Sequence, residues 1–76
     1  MRVLFFGRVA DALGRERDVT LPGTGCSIAE LRRLIDAEVL GKPGVRVSLD
    51  KQVVTDEALV VRPGAEVAFF SVFSGG

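Results

Sequence analysis

An α+β fold, one mixed five-stranded sheet with a single main helix laid over one face, is predicted by three observations. Two apolar runs, "VLFF" (3–6) and "VAFFSVF" (67–73, broken only by Ser71), read as strands covered on both faces. Between them, "SIAELRRLIDAEV" (27–39) repeats apolar residues at helical spacing. The remaining segments alternate apolar and polar residues between Gly and Pro breakers, which is the period of half-buried strands. The expected order is strand, short helix, strand, helix, strand, strand, strand, a two-layer way of burying both apolar stripes.

Each element has its own justification. "RVLFFG" (2–7) opens as a strand that belongs in the middle of the sheet. "RVADALG" (8–14) places Val9, Ala12 and Leu13 for a helical turn or two ending at Gly14. "RERDVTLPG" (15–23) alternates toward Val19 and Leu21 and stops at Pro22 and Gly23. In the main helix, Ser27 followed three residues later by Glu30 is a capping box, each side chain satisfying an orphaned donor of the first turn. Ile28, Leu31, Leu34 and Ile35 form its apolar stripe. Glu30, Arg32, Arg33 and Asp36 form its wet face, with Glu30 near Arg33 and Arg32 near Asp36. "LGKPG" (40–44) supplies the exit, with Gly41 as a left-handed cap and Pro43 as a stop. "VRVSLD" (45–50) and "QVVT" (52–55) read as a hairpin joined at Asp50 and Lys51, and a turn follows at residues 62–64. "EVAFFSVF" (66–73) is the last strand, expected beside the first. The predicted division is a domain over residues 1–72 and a tail over 73–76.

The composition bounds function by what is missing. The chain has 76 residues, ten Lys plus Arg against ten Asp plus Glu, and neither sign forms a run that would track a nucleic acid. "MRVLFF" is too short for a secretory signal and no apolar run spans a membrane, so a cytoplasmic protein is expected. With no His, Tyr or Trp and a single cysteine, Cys26, there is no zinc set, no disulfide and no ordinary acid or base for neutral pH. The protein reads as something acted upon.

The chain ends "SVFSGG". A terminal Gly75-Gly76 either frays harmlessly or is itself the working part. A C-terminal carboxylate is an anion at neutral pH and a poor electrophile. Joined to the phosphate of ATP by a partner, it becomes an acyl-adenylate from which a sulfur nucleophile can displace AMP. Glycine has no Cβ to obstruct a narrow channel, and residues 73–76 reach at most about 13 Å. Ordering four residues costs roughly 4–8 kcal/mol, so a second surface must supply affinity. One helix covers one face, so phenylalanines on the other are either tucked under "RVADALG" and the loops or left as a patch for another protein.

With "VLFFGRVADALGRE" at one end and "GAEVAFFSVFSGG" at the other, the sequence resembles, over nearly its whole length, the small sulfur-carrying subunit of molybdopterin synthase, of the ubiquitin-like beta-grasp group. The resemblance implies that Gly76 carries the adenylate and then the thiocarboxylate, that Gly75 threads the channel, and that Phe5, Phe69, Phe70, Phe73 and Ser74 serve partner binding. It implies no permanently bound cofactor and no metal, a covalent C-terminal thiocarboxylate, and ATP used by an adenylating partner related to ubiquitin activators. The implied partners are that activating enzyme, a sulfur donor system and a large synthase subunit, two large with two small. Catalytic groups for sulfur transfer to cyclic pyranopterin monophosphate are expected in the large subunit, so this chain would be a non-catalytic donor. The chain departs from the family's usual pair of prolines before the end, having Ser71, Val72 and Phe73, and has Asp50 where relatives often have asparagine, a change expected to affect only a turn.

Two alternatives stay open. A sulfur carrier for thiazole synthesis in thiamine formation uses the same fold and chemistry, generally without a stretch like "RVADALGRE". A non-carrier interaction domain is the other. Cys26, just before the main helix, reads as a plain loop cysteine rather than a reactive thiol. Lys51, Arg8 and Arg62 read as solvated charges, the alternative being a rim contact from Lys51 to acidic groups of the large subunit and interface salt bridges from Arg8 and Arg62.

Overall fold

The structure, a computed structural model, describes residues 1–72. Its elements are β1 (Arg2–Phe5), α1 (Gly7–Leu13), β2 (Glu16–Asp18), β3 (Cys26–Ser27), α2 (Ile28–Ile35), a 3₁₀ turn (Glu38–Gly41), β4 (Val45–Leu49), β5 (Gln52–Val54), β6 (Val60–Val61) and β7 (Val67–Ser71). The main sheet runs β2-β1-β7-β4-β5, and the architecture is a beta-grasp fold. β1 and β7 are parallel neighbours and every other pairing is antiparallel. The two most apolar strands thus sit side by side inside the sheet, where neither has an edge to expose. No helix among the described residues is long and apolar enough to cross a membrane.

Strand parity divides the sheet into two faces. Val3, Phe5, Val47, Val67 and Phe69 point to one side and pack with Ile28, Leu31 and Ile35 of α2 and with Val9 of α1 in one buried cluster. Both helices therefore cover the same, closed face. The rings of Phe5 and Phe69 lie 6.3 Å apart and tilted by 30°, within the range of favourable aromatic pairs.

The local signals at Ser27, Gly14 and the hairpin hold. Ser27 caps α2, its hydroxyl oxygen accepting from the Glu30 N–H at 3.1 Å while the Glu30 carboxylate accepts from the Ser27 N–H at 3.2 Å. Gly14 closes α1 at φ 88°, where a side chain would be strained. Asp50 and Lys51 take φ 51° and 70°, the two positive values a two-residue hairpin of the right twist needs. The Asp50 carboxylate also accepts from the Glu66 N–H at 3.0 Å, so the turn residue ties the hairpin tip to the start of β7. The turn after β6 closes through the Ala65 N–H and the Arg62 carbonyl at 3.1 Å.

Five expectations are corrected. α2 ends at Ile35, because Asp36 adopts φ 52° and donates its N–H to the Arg32 carbonyl. Gly41 instead ends the 3₁₀ turn and caps no α-helix. Leu34, expected in the apolar stripe, is exposed, since three residues per two turns already fill the narrow strip facing the sheet. β2 stops at Asp18, yet Val19 is still buried beyond it. The most informative correction is Arg32. Its guanidinium does not pair with Asp36 on the wet face; it lies over the Phe69 ring at 5.2 Å from the centroid and donates to Glu57 at 2.7 Å and to the Leu40 carbonyl at 2.6 Å.

A small second ladder, β3 with β6, was not legible in the alternation of residues. It places Cys26 opposite Val61 and Ser27 opposite Val60 at the mouth of α2. Gly25 makes it possible: at φ 140° a Cβ there would run into the Val61 carbonyl.

Candidate functional site

The other face of the sheet carries no helix. The pairing register aligns Leu4, Ala68, Ser48 and Val53 in one row, and Phe70 beside Arg46 in the next. Phe6 extends β1 on the same parity, its N–H donating to the Phe69 carbonyl at 3.0 Å. Val72 extends β7 likewise, its N–H donating to the Gly44 carbonyl at 2.9 Å. Phe6 is 53% exposed, Val72 51% and Val53 60%, with Leu4 and Phe70 half-buried between them. Of the two outcomes open for the phenylalanines of this face, the exposed patch is the one found, because α1 lies across the sheet from it.

The patch separates the expected partner-binding residues. Phe5 and Phe69 are 1% and 0% exposed and face the helices, so they lie in the strands behind the open face and do not line it. Phe70 remains available. Phe6 joins it, and the signal for Phe6 was in the sequence: in a continuous "FF" one ring must turn away from the helix. Phe73, Ser74, Gly75 and Gly76 lie outside the described residues. β7 leads toward them from the rim of the patch.

Two open hollows lie at the end of the sheet where the parallel strands β1 and β7 finish. One, of about 630 Å³, lies between α1 and the 3₁₀ turn and is lined by Arg8, Asp11, Val39, Lys42, Val45 and Ser71 among others. The second, of about 500 Å³, runs beside Phe6 between β1, α1 and the start of β2 and includes Arg15 and Glu16. Glu16 is held by Arg2 at 3.2 Å.

Two titratable groups at the start of α2 are shifted by their surroundings. Burial, and then the neighbouring Glu30 carboxylate, push the Cys26 thiol above its ordinary range, which disfavours the reactive thiolate. The Ser27 N–H, then its hydroxyl, hold Glu30 below the usual carboxylate range. Among the described residues no three His, Cys, Asp or Glu side chains gather to hold a metal ion, and no buried side-chain polar atom lacks a hydrogen bond.

Residues 3–76 match the ThiS family. No curated protein matches the chain.

Proposed function

Since the chain belongs to the ThiS family and is a ubiquitin-like beta-grasp sulfur carrier, we propose that Gly76 is its working group and the open sheet face its docking surface. The Gly76 carboxylate attacks the α-phosphate of ATP in a partner's active site and pyrophosphate leaves. Hydrosulfide released by a donor system then attacks the acyl carbon, AMP leaves and the S–H proton is lost, giving the thiocarboxylate. An acceptor enzyme takes the sulfur, and oxygen from water restores the carboxylate. Gly75 passes the channel without a Cβ, and Phe6, Phe70 and Val72 bind outside it, with Phe73 and Ser74 following them. Catalytic groups reside in the partners.

The observation that carries this reading is an apolar patch at the end of the strand that runs into Gly-Gly. A partner that buries the patch gains affinity beside the very residues whose ordering costs it free energy. The decisive experiment is the intact mass of the chain after incubation with ATP, a sulfur donor and an activating enzyme. Exchange of one oxygen for sulfur, mapped to Gly76, is expected; a chain extended past Gly76 by one uncleavable alanine should remain unmodified. Modification of the extended chain would sink the proposal.

A second reading concerns the acceptor. The family match supports the carrier class, thiazole synthesis included, more directly than it supports the molybdopterin role. α1 favours the latter, because thiazole carriers generally pass from first to second strand without such a segment, and here a full helix is packed into the core through Val9. On that reading two copies of this chain serve two large synthase subunits and build the dithiolene on cyclic pyranopterin monophosphate. Pyrophosphate exchange with each candidate activating enzyme, followed by sulfur transfer to the pterin or to the thiazole-forming enzyme, separates the two.

A further inference from the structure

The strands distribute the charge of this neutral chain unevenly. Ten cationic side chains balance ten anionic ones, yet four exposed cations gather where β7 leaves the sheet. Arg46 is the cross-strand partner of Phe70. Arg8 and Lys42 flank Ser71 around the larger hollow. Arg15, whose carbonyl accepts from the Phe5 N–H at 2.8 Å, lies beside Phe6 on the smaller one. The carboxylates in the same places are Asp11 and Glu16, and Glu16 is engaged by Arg2. At the opposite end of β7 the Glu66 backbone and the Asp50 carboxylate are bonded to each other, so two acidic residues stand there beside Lys51.

We propose that Arg8, Arg15, Lys42 and Arg46 form a basic collar that guides this end of the sheet onto an acidic rim of the activating enzyme, around the opening that receives the chain's end. The proposal rests on the carrier reading and adds the partner's chemistry to it. The collar borders an apolar centre, the layout of protein interfaces with a polar rim. A polyanion would instead call for an unbroken basic track, which Asp11 and Glu16 interrupt. Arg8 contributes whatever it bonds to, since a guanidinium keeps its charge. Rim charges of this kind act on encounter: opposite potentials raise association rates by about 10–1,000-fold at low salt and lose that effect as salt screens them.

The test is ATP–pyrophosphate exchange by the full chain with its activating enzyme, across salt from about 0.01 to 0.3 M, over which the screening length shortens several-fold. For Lys42→Glu combined with Arg46→Glu, KM at low salt should rise at least about tenfold with kcat unchanged, and its salt dependence should flatten or invert. Arg33→Glu, the same kind of charge reversal on α2 across the sheet, should stay within about twofold of the native chain. Lys42→Gln with Arg46→Gln should fall between, which covers a reversal variant that fails to melt cooperatively. Native KM and salt dependence in both double variants would overturn the collar, as would an equal loss in Arg33→Glu. Retention of a short DNA duplex by the native chain and not by the double variants would reassign the cations to a polyanion and also overturn it. If the native chain supports no exchange with any activating enzyme, the carrier reading itself falls, a result distinct from unchanged double variants.

Discussion

The two faces of one sheet are built from adjacent residues and do opposite things. Phe5 and Phe69 are closed off under α2, while their sequence neighbours Phe6 and Phe70 look outward. Chemistry of the side chain does not distinguish them; parity does. On the closed face an aromatic ring contributes to stability by leaving water during folding. On the open face the same ring stays partly in water, and on the proposed docking role it would release that free energy when a partner covers it. A 76-residue chain has little apolar surface to spare, so leaving Phe6, Val53 and Val72 exposed is a cost that function must explain.

Substitutions on the two faces sharpen this contrast. Phe69→Ala should show the largest effect, about 3–5 kcal/mol in denaturant melts, which approaches the whole stability of a small domain. Phe6→Ala should stay within about 1 kcal/mol. Equal losses at both positions would erase the distinction between the faces. Arg32→Ala should cost about 2 kcal/mol, since it removes the cation over Phe69 and leaves the carbonyl of the buried Leu40 without that donor.

The open face should answer in binding instead. Phe6→Asp is expected to lower kcat/KM for activation about tenfold, near 1.4 kcal/mol, with the melting curve nearly unmoved. A variant that melts like the native chain and activates as well would remove Phe6 from the docking surface.

Smaller effects test the frame beneath both faces. Ser27→Ala should cost about 1 kcal/mol by uncapping α2. The folded-state pKa of Glu30 is lowered by Ser27, so the stability linked to its charge is present above the ordinary glutamate pKa and is lost as pH falls through the lowered folded value. Acid melts of Ser27→Ala should show less of this loss than the native chain. Least of all, Cys26 should react slowly with iodoacetamide until the chain unfolds, since its thiol is buried and its pKa raised; rapid labelling of the folded chain would return it to the list of reactive groups.

Much of the frame could be read from residues one at a time. Ser27 with Glu30 announced a helix start because a cap is satisfied within four residues, and Asp50-Lys51 announced a hairpin because its geometry is local. The early stop of α2 was hidden, since nothing in "LIDAEV" forbids another turn and the left-handed Asp36 is imposed by where the chain must go next. The ladder of β3 with β6 was hidden too: two-residue strands carry no period, and the clue, Gly25, becomes a requirement only once the Val61 carbonyl is in place. Arg32 looked like an i,i+4 partner for Asp36, and lost that role because Glu57, 25 residues away, offers a shielded two-point contact.

The candidate site divides in the same way. Gly75-Gly76, and the reading of the chain as a carrier that others act upon, came from the order and absence of residue types, because acyl chemistry at a terminus needs nothing from the fold. Which phenylalanines lie on the open face, and that Arg8, Arg15, Lys42 and Arg46 share one end of the sheet, required the tertiary structure. Helical and strand periods are properties of consecutive residues, whereas a surface is assembled from strands whose register and neighbours are chosen by the packing of the whole core.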